Sequence, residues 1–155
     1  MKNTILIQET DFNKIHQKIK SNPNKTIIFS SDNDELNRKV LEKEKINVLL
    51  LNQTQRKDKF KQRNSGFNHV LAKIAKKKKI IIGINLDEIL EAKAEKKKEI
   101  LARIKQNIKL CNKNKLKMDF ITLNNKNKRD VYDLKALGLV LGMPTYITKE
   151  IGKFF

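Results

Sequence analysis

The chain has 155 residues and carries 35 lysines and arginines against 17 acidic residues, a net charge of +18. A charge of that size needs a polyanion, an anionic surface or high salt to relieve its self-repulsion, and nucleic acid is the first candidate. Cys111 is the only cysteine, which excludes an intramolecular disulfide and points to a reducing, cytoplasmic setting. No stretch approaches the ~20 apolar residues of a membrane span, and residues 1–11 lack the basic, apolar, small-residue layout of a signal peptide. One domain over residues 1–155, with one core, is expected from length.

Taken in chain order, short apolar runs alternate with stretches of helical period. A strand over 4–8 precedes a helix over 11–21 that sets Phe12, Ile15 and Ile19 on one face. A strand over 26–30 follows, and Asp32 with Glu35 then forms a capping box ahead of Leu36, Val40 and Leu41. The strand over 46–51 leads into a basic loop over 52–64, which holds Arg56, Lys57, Lys59, Lys61 and Arg63 around one large apolar residue, Phe60. Asn64 or Ser65 is expected to cap a helix with Phe67, Val70, Leu71 and Ile74 on its buried stripe, closed by the Lys76 to Lys79 run at the negative end of its dipole.

After a strand over 79–85, the period predicts one long helix over 87–111, with Ile100, Ile104, Ile108 and Cys111 at core spacing. A strand over 118–123, a second basic stretch over 124–129 and a helix over 131–141 complete the pattern. Gly142-Met143-Pro144 stops that last helix, and residues 145–155 leave room for one more short turn. Five strands alternating with helices predict an α/β domain with a mainly parallel sheet. In such a sheet both basic loops lie beyond the carboxyl ends of strands, where ligands usually bind.

The inventory for catalysis is thin. His16 and His69 are far apart in sequence: His16 reads as a surface residue of a lysine-rich helix, and His69 as a structural residue beside the third helix's core stripe. Asp32, Asp34 and Glu35 form the one compact acidic group, explained by helix capping more readily than by a magnesium site. Five glycines include no phosphate-binding loop pattern, and Cys111 reads as a small buried apolar side chain. Only five arginines stand among thirty lysines, so a planar fork for phosphate is expected at Arg63, Arg103 and Arg129. Lysine runs such as Lys96 to Lys98 read mainly as solvated helix faces.

Three motifs, in order, resemble a known family. Asn64-Ser-Gly-Phe-Asn-His-Val-Leu-Ala-Lys-Ile-Ala75, with the following strand and Leu86-Asp-Glu-Ile-Leu90, is similar to the central motif of archaeal ribonuclease P protein component 3, the relative of the eukaryotic thirty-kilodalton subunit. Ile100-Leu-Ala-Arg-Ile-Lys-Gln-Asn-Ile-Lys-Leu-Cys111 resembles that family's long helix, and Asp133-Leu-Lys-Ala-Leu-Gly-Leu-Val-Leu-Gly-Met143 its closing helix. The likeness covers residues 63–145, while residues 1–62 agree only in their pattern of elements. Where the family tends to show Leu-Arg-Ser-Pro-Arg-Asp-Leu, this chain has Lys128-Arg129-Asp130-Val131-Tyr132-Asp133-Leu134, keeping the first arginine and losing the proline and the second arginine.

The resemblance implies a shortened or incomplete TIM-like α/β barrel, related to the metal-dependent (PHP-like) phosphoesterases, since a full barrel takes about 250 residues. It implies an RNA-binding subunit of ribonuclease P with no catalytic site of its own. The RNA subunit would hold the magnesium ions and remove the 5′ leader of precursor tRNA, and the protein would bind no cofactor or metal. Protein component 2 and other protein components would be its partners, without a membrane. The expected RNA contacts are Arg56, Lys57, Lys59, Lys61, Arg63, Arg103, Lys105, Lys109, Lys128 and Arg129. Two alternatives remain: a general basic RNA-binding protein, for example on the ribosome, and a stand-alone metal-dependent phosphoesterase using His69 or Asp32.

Overall fold

In a computed structural model that describes residues 3–153, each apolar run becomes a strand. β1 (Thr4–Ile7), β2 (Thr26–Phe29), β3 (Val48–Leu51), β4 (Ile81–Asn85) and β5 (Met118–Ile121) form one sheet in the order of the chain. All four ladders are parallel, with Thr4 opposite Thr26, Ile28 opposite Val48, Leu49 opposite Ile82 and Ile84 opposite Phe120. This is the expected shortened α/β barrel wall. It is not closed: among the described residues β1 pairs only with β2, and β5 only with β4.

Alternation along the strands sorts the apolar residues onto two faces. Ile7, Ile27, Phe29, Leu49, Leu51, Ile82, Ile84, Met118 and Phe120 point to the helices and form the main core with them. Ile28, Val48, Leu50, Ile81 and Ile121 point the other way, into a cluster built from strand residues alone, yet all five are buried. Among the described residues this cluster takes in no helix side chain, and its strand residues bury one another as they do on the inner face of a curled barrel wall. Gly83 marks the tightest part of the curl: a Cβ there would lie 3.0 Å from Val48 Cγ1 and 3.1 Å from Ile121 Cγ1.

The helices are α1 (Phe12–Lys20), α2 (Asp34–Lys43), α3 (His69–Lys78), α4 (Leu86–Glu91), α5 (Ala94–Lys113), α6 (Val131–Leu141) and α7 (Thr145–Thr148). Their starts correct the sequence reading in two places. The cap of α2 is Asn33, whose side chain accepts from Leu36 N, rather than a box of Asp32 and Glu35. The cap of α3 is Asn68, which accepts from both Val70 N and Leu71 N, so the helix begins after Phe67 rather than at Asn64 or Ser65. That later start turns Val70 and His69 outward, and the buried residues of the helix are Leu71, Ala72 and Ala75. His69 therefore has no place in the core.

The single long helix expected over 87–111 is two helices. Ala92 is extended at the end of α4 and Ala94 takes a positive φ of 28° where α5 begins. Ile100, Ile104, Ile108 and Cys111 occupy the core face of α5 as expected, and burial pushes the Cys111 thiol up to about 12, which leaves it protonated and unreactive at neutral pH. Gly142, at φ 104°, ends α6, as its sequence predicts. The last two residues of the expected final turn, Phe154 and Phe155, lie outside the described residues. Among the described residues no helix is long and apolar enough to cross a membrane.

One buried carboxylate gives the fold a pH signature. Asp119 of β5 accepts from Phe120 N at 2.8 Å and from Gly152 N at 3.2 Å, but burial outweighs both bonds and raises its pKa to about 6. The folded chain thus holds that proton more tightly than the unfolded one. Below the unfolded value near 4 the full stability is present, and it is lost as the pH rises through about 6. Relative to Asp119→Asn, the natural chain should gain up to about 3 kcal/mol as pH falls from about 7 to about 4. Urea unfolding of both proteins at the two pH values measures it; a constant difference would show that the buried charge is not penalised.

Candidate nucleic-acid interface

Because every strand runs the same way, the segments after β3, β4 and β5 emerge at one end of the sheet. After β3 comes the basic loop over 52–68, after β4 comes α4, and after β5 comes the 3-10 turn Asn125–Asn127 with Lys128 and Arg129. The two basic segments thus flank α4, which lies between them in the strand order.

Three carboxylates of α4 tie both segments down. Glu88 accepts from Gln53 N at 2.7 Å and Thr54 N at 2.9 Å, which fixes the start of the first loop. Asp87 accepts from Thr122 Oγ1, Leu123 N, Asn124 N and Asn127 Nδ2, and Glu91 accepts from the side-chain amides of Asn124 and Asn127, which fixes the second. Beneath them a ladder of neutral side chains crosses the strand ends: Asn85 donates to Asn52 at 2.9 Å and Asn52 to Ser30 at 2.9 Å. Backbone N–H groups of loops that would otherwise need water are satisfied here by charged acceptors, the stronger kind of hydrogen bond. This brace also accounts for the helix break, because α4 must aim its carboxylates at two loops while α5 faces the core.

The first loop is held at two further points by arginines that the sequence reading assigned to RNA. Arg56 is buried; its guanidinium grips both carboxylate oxygens of Asp34, at 2.8 and 3.1 Å, and it also donates to Asn52 O and Asn64 Oδ1. Asp34 is therefore the counter-ion of this loop rather than the cap of α2. Arg103, 1% exposed, donates from Nε to Asp58 Oδ1 at 2.8 Å and from Nη1 to Gln53 O at 3.2 Å. The Arg103 hydrogen bond holds the Asp58 carboxyl below the usual range against the effect of desolvation, helped by the Asn64 N–H. Both guanidiniums face the protein, so each acts by shaping the loop.

The Asn64 to Asn68 motif acquires a reason residue by residue. Asn64 meets Arg56, and the Ser65 carbonyl accepts from the side chains of Gln53 and Asn107. Gly66, at φ 72°, leaves room for the Arg56 guanidinium, Phe67 enters the core and Asn68 caps α3.

What this frame presents outward is cationic. Lys57, Lys59, Lys61 and Arg63 are all exposed on the loop, and Lys128 and Arg129 on the neighbouring segment. Arg63 lines two clefts, one of about 330 Å³ with Arg38 and Asp34, the other of about 780 Å³ with Phe60 and Gln106. Arg129 donates to the carbonyl of Lys128. Lys105 and Lys109 are exposed on α5, but at helical spacing they lie across the helix from Arg103, the residue that faces the loop. They do not join the loop patch. His16 is exposed and sits 2.9 Å from Glu44, and Asp32 lines a separate cleft at the ends of β1 to β3 to which His69 contributes nothing. Sequence reasoning did not find the α4 brace; Asp58, the single acid in a loop of cations, was the available signal for the inward arginine.

A different kind of surface lies on α6 and after it. Tyr132 and Val140, 75% and 77% exposed, stand with Leu139 and Tyr146 as large apolar side chains in water.

No protein-family model matches the sequence. The fold is similar to that of a chain in the solved cryo-electron microscopy structure of an archaeal ribonuclease P with mature tRNA, with a TM-score of 0.76 and 21% identity, over 94% of this chain. The present chain spans 62% of the length of the one it matches.

Proposed function

We propose that this chain is a protein subunit of ribonuclease P, of the component 3 type, and that it binds the RNA subunit through the basic rim at the carboxyl ends of β3 and β5. The observation that carries the reading is a set of six exposed cations on two segments that one acidic helix holds in place. The fold it shares with a chain of an archaeal ribonuclease P supports it, as do the three sequence motifs.

The division of labour follows from the residue types. Magnesium ions held by the RNA supply the hydrolytic chemistry on the precursor tRNA. The protein's lysines and arginines neutralise backbone phosphates and release their counterions, which lowers the cost of packing RNA helices together. Lysine and arginine side chains that read phosphate positions recognise RNA shape more than sequence. Tyr132, Leu139 and Val140 on α6 offer the apolar surface a protein partner such as component 2 needs. Lys105 and Lys109 form a second, separate site for phosphate.

Two measurements test this. The tagged chain should bring down ribonuclease P RNA and component 2 from cells; recovery of neither overturns the assignment. Replacing Lys57, Lys59, Lys61 and Arg63 together with glutamine should flatten the dependence of RNA affinity on salt by about 0.7 to 0.9 for each phosphate left without its cation, roughly 3 in all. An unchanged slope removes the loop from the interface.

A further inference from the structure

Phe60 is fully exposed at the tip of the basic loop. Lys59 and Gln62 pair across the tip, Lys59 N donating to Gln62 O at 2.9 Å and Gln62 N to Lys59 O at 3.2 Å, so Phe60 and Lys61 are the two residues of a tight turn. The turn stands on Asp58, which Arg103 and Asn64 N hold from below; the limb before the turn is fixed by Arg56 and Glu88, and the limb after it by the bonds of Asn64 to Asp58 and Arg56. A phenyl ring on a slack segment would fold back onto apolar surface. This one is carried on a loop anchored by two buried arginines, which keeps the ring in water.

The surroundings of the ring define its partner. Lys57, Lys59, Lys61 and Arg63 alternate with it along the loop, and the one acid nearby, Asp58, is engaged by Arg103. Lysines are depleted from the cores of protein interfaces, whereas aromatic rings interleaved with cations are how single-stranded nucleic acid is held. Beside the ring lies the open cleft of about 780 Å³, where the Asn68 side-chain NH2 can donate to a base edge and the Gln106 amide can donate to or accept from one. Arg63 lines the same cleft at a position suited to the adjoining phosphate.

We infer that Phe60 is a stacking platform for an unpaired nucleobase, with Lys59, Lys61 and Arg63 on the flanking phosphates, so that this loop takes a single-stranded or bulged segment of RNA rather than a duplex. The inference rests on the RNA-binding reading above and sharpens it. Base stacking on an aromatic side chain accounts for about tenfold in affinity when the ring is removed.

The sequence contains no tryptophan, so Phe60→Trp places a single tryptophan, excited selectively over Tyr132 and Tyr146, at the tip of the whole chain. A short single-stranded oligoribonucleotide should quench its emission on binding, while a blunt RNA duplex of the same length, bound to the same occupancy by anisotropy, should leave the emission unchanged. Phe60→Ala should weaken binding of the single strand about tenfold and duplex binding by less than about twofold, and Phe60→Tyr should restore the single-strand affinity. If RNA binds with a steep salt dependence but neither quenching nor the Phe60→Ala loss appears, the stacking role is wrong and the RNA-binding reading stands. If Phe60→Ala instead abolishes capture of a protein partner with RNA affinity intact, the tip belongs in a protein pocket and the inference fails. If the natural chain binds neither RNA at low salt, both readings fall together.

Discussion

Replacing Asp58 with alanine is expected to destabilise the chain by about 3 kcal/mol, and to do so more than replacing its partner Arg103 with methionine. The asymmetry comes from what each change leaves behind. Without Asp58, the Arg103 guanidinium stays inside, 1% exposed, with the Gln53 carbonyl at 3.2 Å as its remaining acceptor and the half-exposed Glu99 carboxylate, 3.6 Å away, as its remaining ion-pair contact. With methionine at 103, the carboxylate of Asp58 keeps its bond from Asn64 N and gains access to water, and a flexible apolar chain fills the space. Urea unfolding with matched m-values measures the two, and a larger loss for Arg103→Met would reverse the assignment of which charge is trapped. The pair also carries a pH dependence opposite to that of Asp119. Arg103 holds the Asp58 carboxyl below its ordinary range, so its contribution is complete above about pH 4 and is lost as the pH falls below that.

Gly66→Ala should cost about as much, through a different route. A Cβ at this position would lie 2.0 Å from Arg56 Nη2 and 2.2 Å from Cζ, and the backbone there has φ 72°. The left-handed conformation alone costs a non-glycine residue about 1 kcal/mol. Displacing the guanidinium breaks its bonds to Asp34, Asn52 and Asn64 and adds about 2 kcal/mol. A double-mutant cycle separates the two parts: in an Arg56→Ala background the same change should cost only the backbone component, leaving a coupling of about 2 kcal/mol. Full additivity would mean that glycine is needed at 66 for its backbone alone.

The strands were legible because a parallel sheet buried on both faces reads as continuous apolar runs, and Val48 to Leu51 is all core. The location of the basic loops followed directly, since parallel strands fix which connections share an end. The direction of each cation did not. Arg56 and Arg63 look alike in sequence, and only the placement of Asp34, twenty-two residues away, turns the first inward. The break between α4 and α5 was illegible for the same reason. No glycine or proline stands between Ile89 and Ile100 to mark a stop, while the interruption answers to hydrogen bonds that Glu88 accepts from Gln53 and Asp87 from Asn127, which no local window contains. Helix starts were missed by one to four residues where several Asn, Asp and Ser stood together, because any of them can cap and the core decides among them.

The sequential order of the strands gives this molecule a direction in time. Among the described residues every strand after β1 pairs with its immediate predecessor in the chain, so the sheet can grow from a single edge as residues leave the ribosome. The clamp over the loops obeys a different schedule. Glu88 secures Gln53 early, but Asp87 has nothing to hold from the far segment until Leu123, Asn124 and Asn127 have been made. The cationic rim is thus completed only after β5 has been made, when the sheet beneath it is already in place.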